Sequence, residues 1–302
     1  MLLLGAALCL GGTAVAQPFA TETGFIEVEA DVRLFYQRFG TGTPRLFVPA
    51  RMELIPTLAP LLERHDAVLW DPRGRGLSSR PDDLARYGVD AEIRDAEAVR
   101  RHFDVDQVVY LGQSLWGSVA AIYAARHPES VAGAIALGPL PVASSYDDPP
   151  AHLPVHDLED DLALMAAMEA DGRDQRDPYT YCVLQWRTAF SESYVDLRHM
   201  ALLEAANLCQ YANEHMARIG QVIFDGMLGG WSWDWSERFV DAADTPVLMV
   251  VGEHEWGLDG IRLYQDVLPR IHYVEFADAA HHVWNERNAE VLELIDTFLA
   301  RD

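Results

Sequence analysis

A serine, a histidine and several carboxylates, far apart in the chain, are the residues best suited to chemistry. Ser114 lies in the stretch LGQSLWG, residues 111–117, where a short apolar run meets a helical pattern. A serine hydroxyl is a weak nucleophile that needs a base, a group that orients the base, and donors for an oxyanion. A sharp strand-to-helix turn exposes such a hydroxyl and points the helix N-terminus at the developing charge. We predict Ser114 as a nucleophile and the N–H of Leu115 as an oxyanion donor; the alternative is a plain helix N-cap.

The predicted turn departs from the G-x-S-x-G pattern at one position. Trp116 stands where the last glycine of the pattern is expected, and Gly117 follows it. The indole must pack in the core beside the turn or point toward the pocket, and we include Trp116 among the candidate substrate-binding residues. Ser118 is rejected as the nucleophile because it would lie a full turn inside the helix. Ser114 therefore stays the candidate, in a turn wider than usual.

The elements that must position these residues alternate between strands and helices. Strand-like runs occupy residues 24–39, 46–48, 67–70, 107–111, 131–137, 246–251 and 271–276. Helical patterns occupy residues near 56–64, 90–103, 114–126, 259–267 and 289–300. Near-continuous apolar strands between helices predict an α/β fold, a mostly parallel sheet with helices on both faces. A helical, aromatic-rich stretch from 140 to 240 interrupts this order, so we predict a core of 17–139 and 241–302 and a helical cap of 140–240.

Three motifs carry a resemblance to a known family. DPRGRGLS, residues 71–78, looks like a D-x-R-G-x-G-x-S loop, and DAEAVR, residues 95–100, is similar to D-x-E-x-x-R. YAARHPE, residues 123–129, matches the end of the helix that follows the nucleophile. With their order and spacing, the chain resembles the α/β-hydrolase superfamily, and within it the prolyl-iminopeptidase-like serine hydrolases. The resemblance covers nearly the whole length after residue 16.

The resemblance implies an acid after the strand that follows the cap. The family order is serine, acid, histidine, and its G-x-x-D pattern reads here as GEHE, residues 252–255. Glu255 is thereby the expected acid, because a glutamate can also hold an imidazole and stabilise its charge. Asp259 and Glu253 are the rivals.

The resemblance also implies a base before the last helix. DAAHHVWNER, residues 278–287, is similar to the family's G-x-G-H-x-x-x-x-E pattern with both glycines replaced. The pattern places the catalytic role on His281. The adjacent His282 is its competitor and is expected to be structural.

The segment that should complete the oxyanion hole is altered. The family's His-Gly and glycine-rich run are replaced by VPARME, residues 48–53. By position, the N–H of Arg51 would be the second oxyanion donor, and its guanidinium would favour a substrate with a carboxylate. A surface arginine paired with Glu53 is the alternative.

The predicted cap contributes further candidates. Its aromatic residues, Trp186 among them, suggest an apolar or aromatic group on the substrate, although such residues also pack small helical domains. In the resembled enzymes, cap acids bind a free amine, and Glu204 is the candidate for that role. Cys182 and Cys209 form a disulfide if the chain is exported, or remain two buried thiols.

Composition and the N-terminus limit location and partners. Residues 1–16 are almost wholly apolar, end in Ala-Val-Ala and are too short to span a bilayer, so we predict a signal peptide and a secreted or periplasmic protein. The net charge is −24, and all 23 basic residues are arginines. The absence of lysine excludes a Walker A loop, a Schiff-base lysine and a Ser-Lys dyad. Without basic clusters, nucleic acid is not an expected partner.

No cofactor or metal is expected from the motifs. His152 and His156 have helical spacing, but Pro154 lies between them, and no glycine-rich dinucleotide fingerprint follows a strand. We therefore predict an exported serine hydrolase that cleaves an ester or amide of a small molecule or short peptide. Two alternatives stay open: a carboxylesterase or lactonase for anionic or aromatic substrates, and a non-catalytic binding protein that retains the fold.

Overall fold

Strands and helices alternate along much of the described chain. The computed structural model describes residues 20–43, 45–49, 51–144, 153–202, 209 and 232–300, with the backbone alone at 51 and 52. The strands are Glu22–Glu29 (β1), Val32–Phe39 (β2), Leu46–Val48 (β3), Ala67–Trp70 (β4), Val108–Gln113 (β5), Val131–Leu137 (β6), Ala143–Ser144 (β7), Trp233–Asp234 (β8), Val247–Gly252 (β9) and Ile271–Phe276 (β10).

Eight of these strands form one sheet in the order β1-β2-β4-β3-β5-β6-β9-β10. β2 runs antiparallel to both of its neighbours, whereas every pair from β4 to β10 is parallel. Parallel strands place their carboxyl ends at one edge of the sheet, where ligands bind in open α/β folds. The loops after β3, β4, β5 and β9 therefore meet at this edge.

Helices connect the parallel strands and cover the sheet. The described α-helices are Arg51–Leu62 (α1), Val89–His102 (α2), Leu115–Arg126 (α3), Glu159–Asp171 (α4), Arg173–Arg176 (α5), Pro178–Phe190 (α6), Leu258–Arg262 (α7), Tyr264–Val267 (α8), Val283–Glu286 (α9) and Asn288–Leu299 (α10). Residues of α2 and α3 pack on one face of the sheet, and residues of α1 and α10 pack on the other.

The strand sequences explain this two-sided core. All six residues of β5 are buried. Val108 and Tyr110 join the cluster on the α3 face, and Val109 and Leu111 join the cluster on the α1 face. Successive strand residues point to opposite faces, so a strand covered on both sides is apolar throughout. The predicted α/β class, with a mostly parallel sheet and helices on both faces, is confirmed.

The first helix begins earlier than the sequence pattern suggests. The sequence pattern predicts a helix near residues 56–64, and proline usually disfavours a helix interior. α1 instead begins at Arg51 and contains both Pro56 and Pro60. Leu54 and Leu58 are fully buried against the sheet. Burial of these side chains keeps the segment helical despite the prolines.

The described residues between β6 and β9 depart from the strand-helix order of the rest of the chain. They form α4, α5, α6 and 3-10 turns at Ser191–Ser193, Leu197–Met200 and Ser236–Phe239. β7 and β8 form a short antiparallel pair that joins Ala143–Ser144 to Trp233–Asp234 and that the sequence analysis did not predict.

A disulfide joins Cys182 of α6 to Cys209. Both cysteines are buried and contact the partly buried Trp186. Among the described residues, no helix is both long and apolar enough to cross a membrane.

Candidate active site

Ser114 occupies a strained turn at the carboxyl end of β5. Its φ of 52° and ψ of −126° lie in a region that non-glycine residues rarely adopt. The turn is held because the Ser114 N–H donates to the Leu137 carbonyl at 2.9 Å and its own carbonyl accepts the Gly117 N–H at 2.8 Å. A Cβ on Gly112 would lie 1.9 Å from the Trp116 carbonyl oxygen, so only glycine permits this approach of helix to strand. Such local strain accords with a nucleophile elbow.

Three distant side chains meet at this turn. His281 Nε2 lies 3.1 Å from Ser114 Oγ, and His281 Nδ1 lies 2.8 Å from Glu255 Oε1. Ser114 follows β5, Glu255 follows β9, and His281 precedes α9. The hydroxyl, imidazole and carboxylate therefore form a continuous hydrogen-bonded chain at the carboxyl edge of the sheet.

The surroundings of the imidazole determine its basicity. Burial of His281 opposes protonation, but the charge and hydrogen bond of Glu255, assisted by the charge of Glu53, outweigh burial and raise its pKa. The Trp256 N–H donates to Glu255 Oε1 at 3.0 Å and helps to fix the carboxylate. Gly138, with φ of 48°, allows close packing here, since a Cβ would lie 2.7 Å from the His281 carbonyl oxygen and 3.0 Å from Glu255 Oε2.

The rival acids and the rival histidine have other contacts. Asp259 is largely exposed and pairs with Arg262. Glu253 lies near His254 and accepts the Asp278 N–H. Neither carboxylate is among the hydrogen-bond partners of His281 in the described part of the chain.

His282 is buried and stacks on Tyr194, with ring centroids 4.6 Å apart. Its backbone N–H donates to Ser193. Burial and the neighbouring His281 hold the pKa of His282 well below its usual range. A neutral, stacked ring accords with the structural role expected for this residue.

Two helices begin at the sheet edge that carries the nucleophile. Leu115 is the first residue of α3, and Arg51 is the first residue of α1. The first N–H groups of a helix have no partner within it and carry partial positive charge. Because β3 and β5 are adjacent parallel strands, both termini lie at the same sheet edge. This position suits the predicted oxyanion donors; the Arg51 side chain lies outside the described atoms.

Trp116 points into the core, which corrects the expectation that it binds substrate. It is 2% exposed and packs in the cluster on the α3 face. Its indole N–H donates to Glu92 Oε2 at 2.9 Å. A ring enclosed in this way cannot line a substrate cavity. The turn tolerates tryptophan because α2 provides both space and a polar partner for the indole.

Sequence reasoning missed a polar cluster beside Ser114. Glu53 of α1 accepts from Arg75 at 2.5 Å and from Gln113 at 2.6 Å. The Arg75 guanidinium also lies 4.6 Å from the centroid of the Trp116 ring. Arg75 falls in a variable position of the D-x-R-G-x-G-x-S motif, so the motif alone did not mark it.

Glu286 is a second residue without a predicted role. Its Oε2 accepts the Ala280 N–H at 2.7 Å, and its Oε1 accepts the N–H groups of Val195 and Asp196 at 2.8 and 3.1 Å. One buried carboxylate thus joins the loop that carries His281 to the segment after α6. The final position of the H-x-x-x-x-E pattern was the available signal.

The structure describes only some of the candidate residues of the predicted cap. Trp186 stacks on Phe190, with ring centroids 4.7 Å apart, and Phe190 in turn contacts His282. These contacts are packing contacts, and a substrate role for Trp186 stays a prediction. Glu204 lies outside the described residues, as do residues 1–16. Within the described ranges, no group of three or more histidine, cysteine or acidic side chains could hold a metal ion.

Comparisons with known proteins accord with this fold. A family model described as alpha/beta hydrolase fold matches residues 46–286. The chain is 34% identical over 108 residues to the Mus musculus serine hydrolase BPHL, covering 33% of this chain and 37% of that protein. It is 28% identical over 123 residues to a proline iminopeptidase of Heyndrickxia coagulans, covering 38% of this chain and 42% of that protein. The chain thus spans about two fifths of these curated relatives.

A solved structure extends the likeness to nearly the whole chain. The structure of Est816, described as an N-acyl homoserine lactone degrading enzyme, has a TM-score of 0.63 and 20% identity. It covers 91% of this chain and 100% of that one. Likeness at this identity concerns the fold alone.

Proposed function

The chain belongs to the α/β-hydrolase fold family, and from this premise we propose that it is a serine hydrolase cleaving an ester or amide of a small molecule or short peptide. The observation that carries the proposal is the chain of contacts from Ser114 through His281 to Glu255, at 3.1 and 2.8 Å. A hydroxyl within reach of an imidazole that a carboxylate orients is the arrangement that nucleophilic acyl transfer needs.

The proposed reaction proceeds through an acyl-enzyme. Ser114 Oγ attacks the acyl carbon while His281 Nε2 takes its proton, and Glu255 stabilises the imidazolium. The N–H groups of Leu115 and Arg51 hold the oxyanion. The tetrahedral intermediate collapses, and the leaving group takes the proton from His281. Water then gives a proton to His281 and attacks the acyl carbon. The second tetrahedral intermediate collapses as His281 returns this proton to Ser114 Oγ, which releases the acid product.

A fluorophosphonate probe tests this proposal directly. We expect covalent labelling of the wild type, no labelling of Ser114→Ala, and retained labelling of Ser118→Ala. Ser118 is a matched control because it is buried one turn further along α3 and donates to the Leu140 carbonyl. Absence of labelling in a folded wild type would contradict the proposal and favour a binding protein.

A carboxylesterase or lactonase is the more specific candidate. α1 begins at Arg51, three residues after β3 ends, so the segment has little room for the glycine-rich run of the resembled peptidases. The likeness to Est816 is compatible with lactone chemistry. Because one relative is named proline iminopeptidase, peptides stay candidate substrates. Rates on p-nitrophenyl esters, aliphatic lactones and aminoacyl-p-nitroanilides divide these classes. Faster turnover of the anilides would reject the esterase candidate.

Export is part of the proposal. The apolar residues 1–16 have the pattern of a signal peptide, and the disulfide between Cys182 and Cys209 suits an oxidising compartment. Expression of the full chain in a bacterial host tests this. We expect an extracytoplasmic protein whose N-terminus is Gln17. A cytoplasmic protein that retains residues 1–16 would contradict export.

A further inference from the structure

Arg75 is the centre of a polar cluster that the proposed triad does not use. Its Nη1 donates to Glu53 Oε1, and Gln113, the residue before Ser114, donates to Glu53 Oε2. The guanidinium stacks on Trp116, two residues after Ser114. The Arg75 cluster, defined as these four side chains without Ser114, therefore borders the candidate nucleophile.

Donors outnumber acceptors in the Arg75 cluster. A guanidinium has five N–H groups in a rigid fork, and a single one donates to Glu53. The described part of the chain gives the other N–H groups of Arg75 no acceptor. The side chain is 15% exposed, so these groups are not sealed in the core. A free guanidinium edge is suited to bidentate binding of a carboxylate.

The loop that carries Arg75 is fixed before any ligand binds. Asp71 Oδ2 accepts the Leu77 N–H at 2.9 Å, and the Arg75 N–H donates to the Pro72 carbonyl at 3.0 Å. Arg73 of the same loop forms a buried two-point pair with Asp95 of α2, at 2.6 and 2.8 Å. A donor held on a rigid loop and a stacked ring loses little entropy when it binds a ligand.

Resting on the proposed hydrolase function, we propose that Arg75 binds a carboxylate of the substrate, so that the enzyme prefers esters or amides that carry an anionic group. Glu53 partly compensates the charge of Arg75 and holds its orientation. Recognition therefore depends on hydrogen bonds from the guanidinium edge more than on net charge. This inference places substrate selection on Arg75 instead of the Arg51 guanidinium.

Matched esters test the inference by turnover. Mono-p-nitrophenyl adipate and suberate each differ from p-nitrophenyl hexanoate and octanoate by a terminal carboxylate, and the two lengths sample different distances from Ser114. We expect higher kcat/KM for the anionic member of at least one pair. Arg75→Gln should reduce that preference by about 10- to 100-fold, as for loss of hydrogen bonds to a charged group. Arg75→Lys, which keeps charge but loses the fork, should restore part of it.

Arg80→Gln is the matched control. Arg80 lies in the same loop, is exposed and donates to the Gly76 carbonyl, so its loss should leave the preference intact. A preference that is equally lost in Arg80→Gln, or unchanged in Arg75→Gln, would overturn the assignment. Urea unfolding of each variant separates a loss of recognition from a loss of folding.

Equilibrium binding separates this inference from the proposed chemistry. The Ser114→Ala variant is titrated by calorimetry with monomethyl adipate and with dimethyl adipate. The same titrations are made with the double variant that carries both Ser114→Ala and Arg75→Gln. Tighter binding of the monoanion, lost with Arg75, supports anion recognition even if the wild type hydrolyses neither compound. Equal binding of the two compounds overturns the inference, even if Ser114 is labelled and neutral esters are hydrolysed.

Discussion

The indole of Trp116, a member of the Arg75 cluster, donates a buried hydrogen bond of 2.9 Å to the carboxyl group of Glu92. The pair explains how a nucleophile turn accommodates a tryptophan in place of glycine. The indole N–H, which would cost free energy if buried alone, finds an acceptor on α2. The ring then serves as the surface on which Arg75 stacks.

Loss of the indole N–H should destabilise the fold. Trp116→Phe retains an aromatic ring but leaves Glu92 Oε2 without its donor, and Oε1 already has no partner in the described part of the chain. We expect the free energy of unfolding in urea to fall by about 1–3 kcal/mol beyond the packing loss. Trp70→Phe is the control, because Trp70 is fully buried and its N–H has no described acceptor. Equal losses in the two variants would contradict a stabilising bond.

The ionisation of Glu92 predicts a dependence of stability on pH. Burial and the charge of Asp95 raise the pKa of Glu92 above the ordinary 4.5. Above that pH the native state keeps a proton that the unfolded state releases, so this group lowers stability as pH rises toward its native pKa. Glu92→Gln stays neutral and lacks this dependence.

We therefore expect Glu92→Gln to gain stability relative to the wild type as pH rises from about 4.5, by at most about 1.4 kcal/mol per pH unit. Urea unfolding at several pH values measures the difference. The exposed Glu27 provides a control in Glu27→Gln. A constant difference between Glu92→Gln and the wild type across this range would show that Glu92 is ionised in the native state.

The sequence was sufficient to predict the strands of the main sheet but not every segment that connects them. Strands 131–137 and 271–276 match β6 and β10. The first is a wholly apolar run, and the second is rich in β-branched and aromatic residues, which favour strands. The start of α1 was misplaced because its first turn depends on burial of Leu54, a tertiary contact that no local pattern reports. β7 and β8 have two residues each, too few to produce a periodic pattern.

Motif order placed Ser114, Glu255 and His281, and these three residues do meet in the structure. Motif order could not predict the direction in which the Trp116 side chain points. Its partner Glu92 lies 24 residues earlier on a helix, and a glutamate in a charged helix normally indicates an exposed face. The Arg75 cluster combines a helix, a loop and a strand end, so no local pattern reports it.

We expect Glu286 to affect catalysis by holding the loop that carries His281 in position. In Glu286→Gln, the amide replaces one carboxylate oxygen and cannot accept a hydrogen bond, so either Ala280 or the Val195–Asp196 pair loses its acceptor. A displaced His281 loop should lower kcat by up to about 10²-fold and slow fluorophosphonate labelling, with less effect on KM.

The exposed Glu290, paired with Arg287 one turn further on, gives the control Glu290→Gln. A purely structural role for Glu286 would lower the free energy of unfolding without changing the labelling rate of the folded protein. That result would reject Glu286 as a positioning residue.

The raised pKa of His281 predicts how activity depends on pH and on Glu255. The base must be neutral to accept the Ser114 proton, so kcat/KM should rise with pH and have its midpoint above the ordinary histidine value of 6.5. Glu255→Gln removes the charge that outweighs burial, and we expect the imidazole pKa to fall and kcat to drop about 10⁴-fold, as when an acid member is made neutral in a serine triad.

NMR titration of the imidazole in wild type and Glu255→Gln measures the pKa change without requiring turnover. Glu53→Gln provides a comparison with a smaller expected effect, because Glu53 affects His281 through charge alone. It should lower the pKa of His281 less than Glu255→Gln does. If the imidazole titrates at the same pH in wild type and Glu255→Gln, the carboxylate does not stabilise the imidazolium. The hydrogen-bonded chain would then lack the acid that acyl transfer through Ser114 requires.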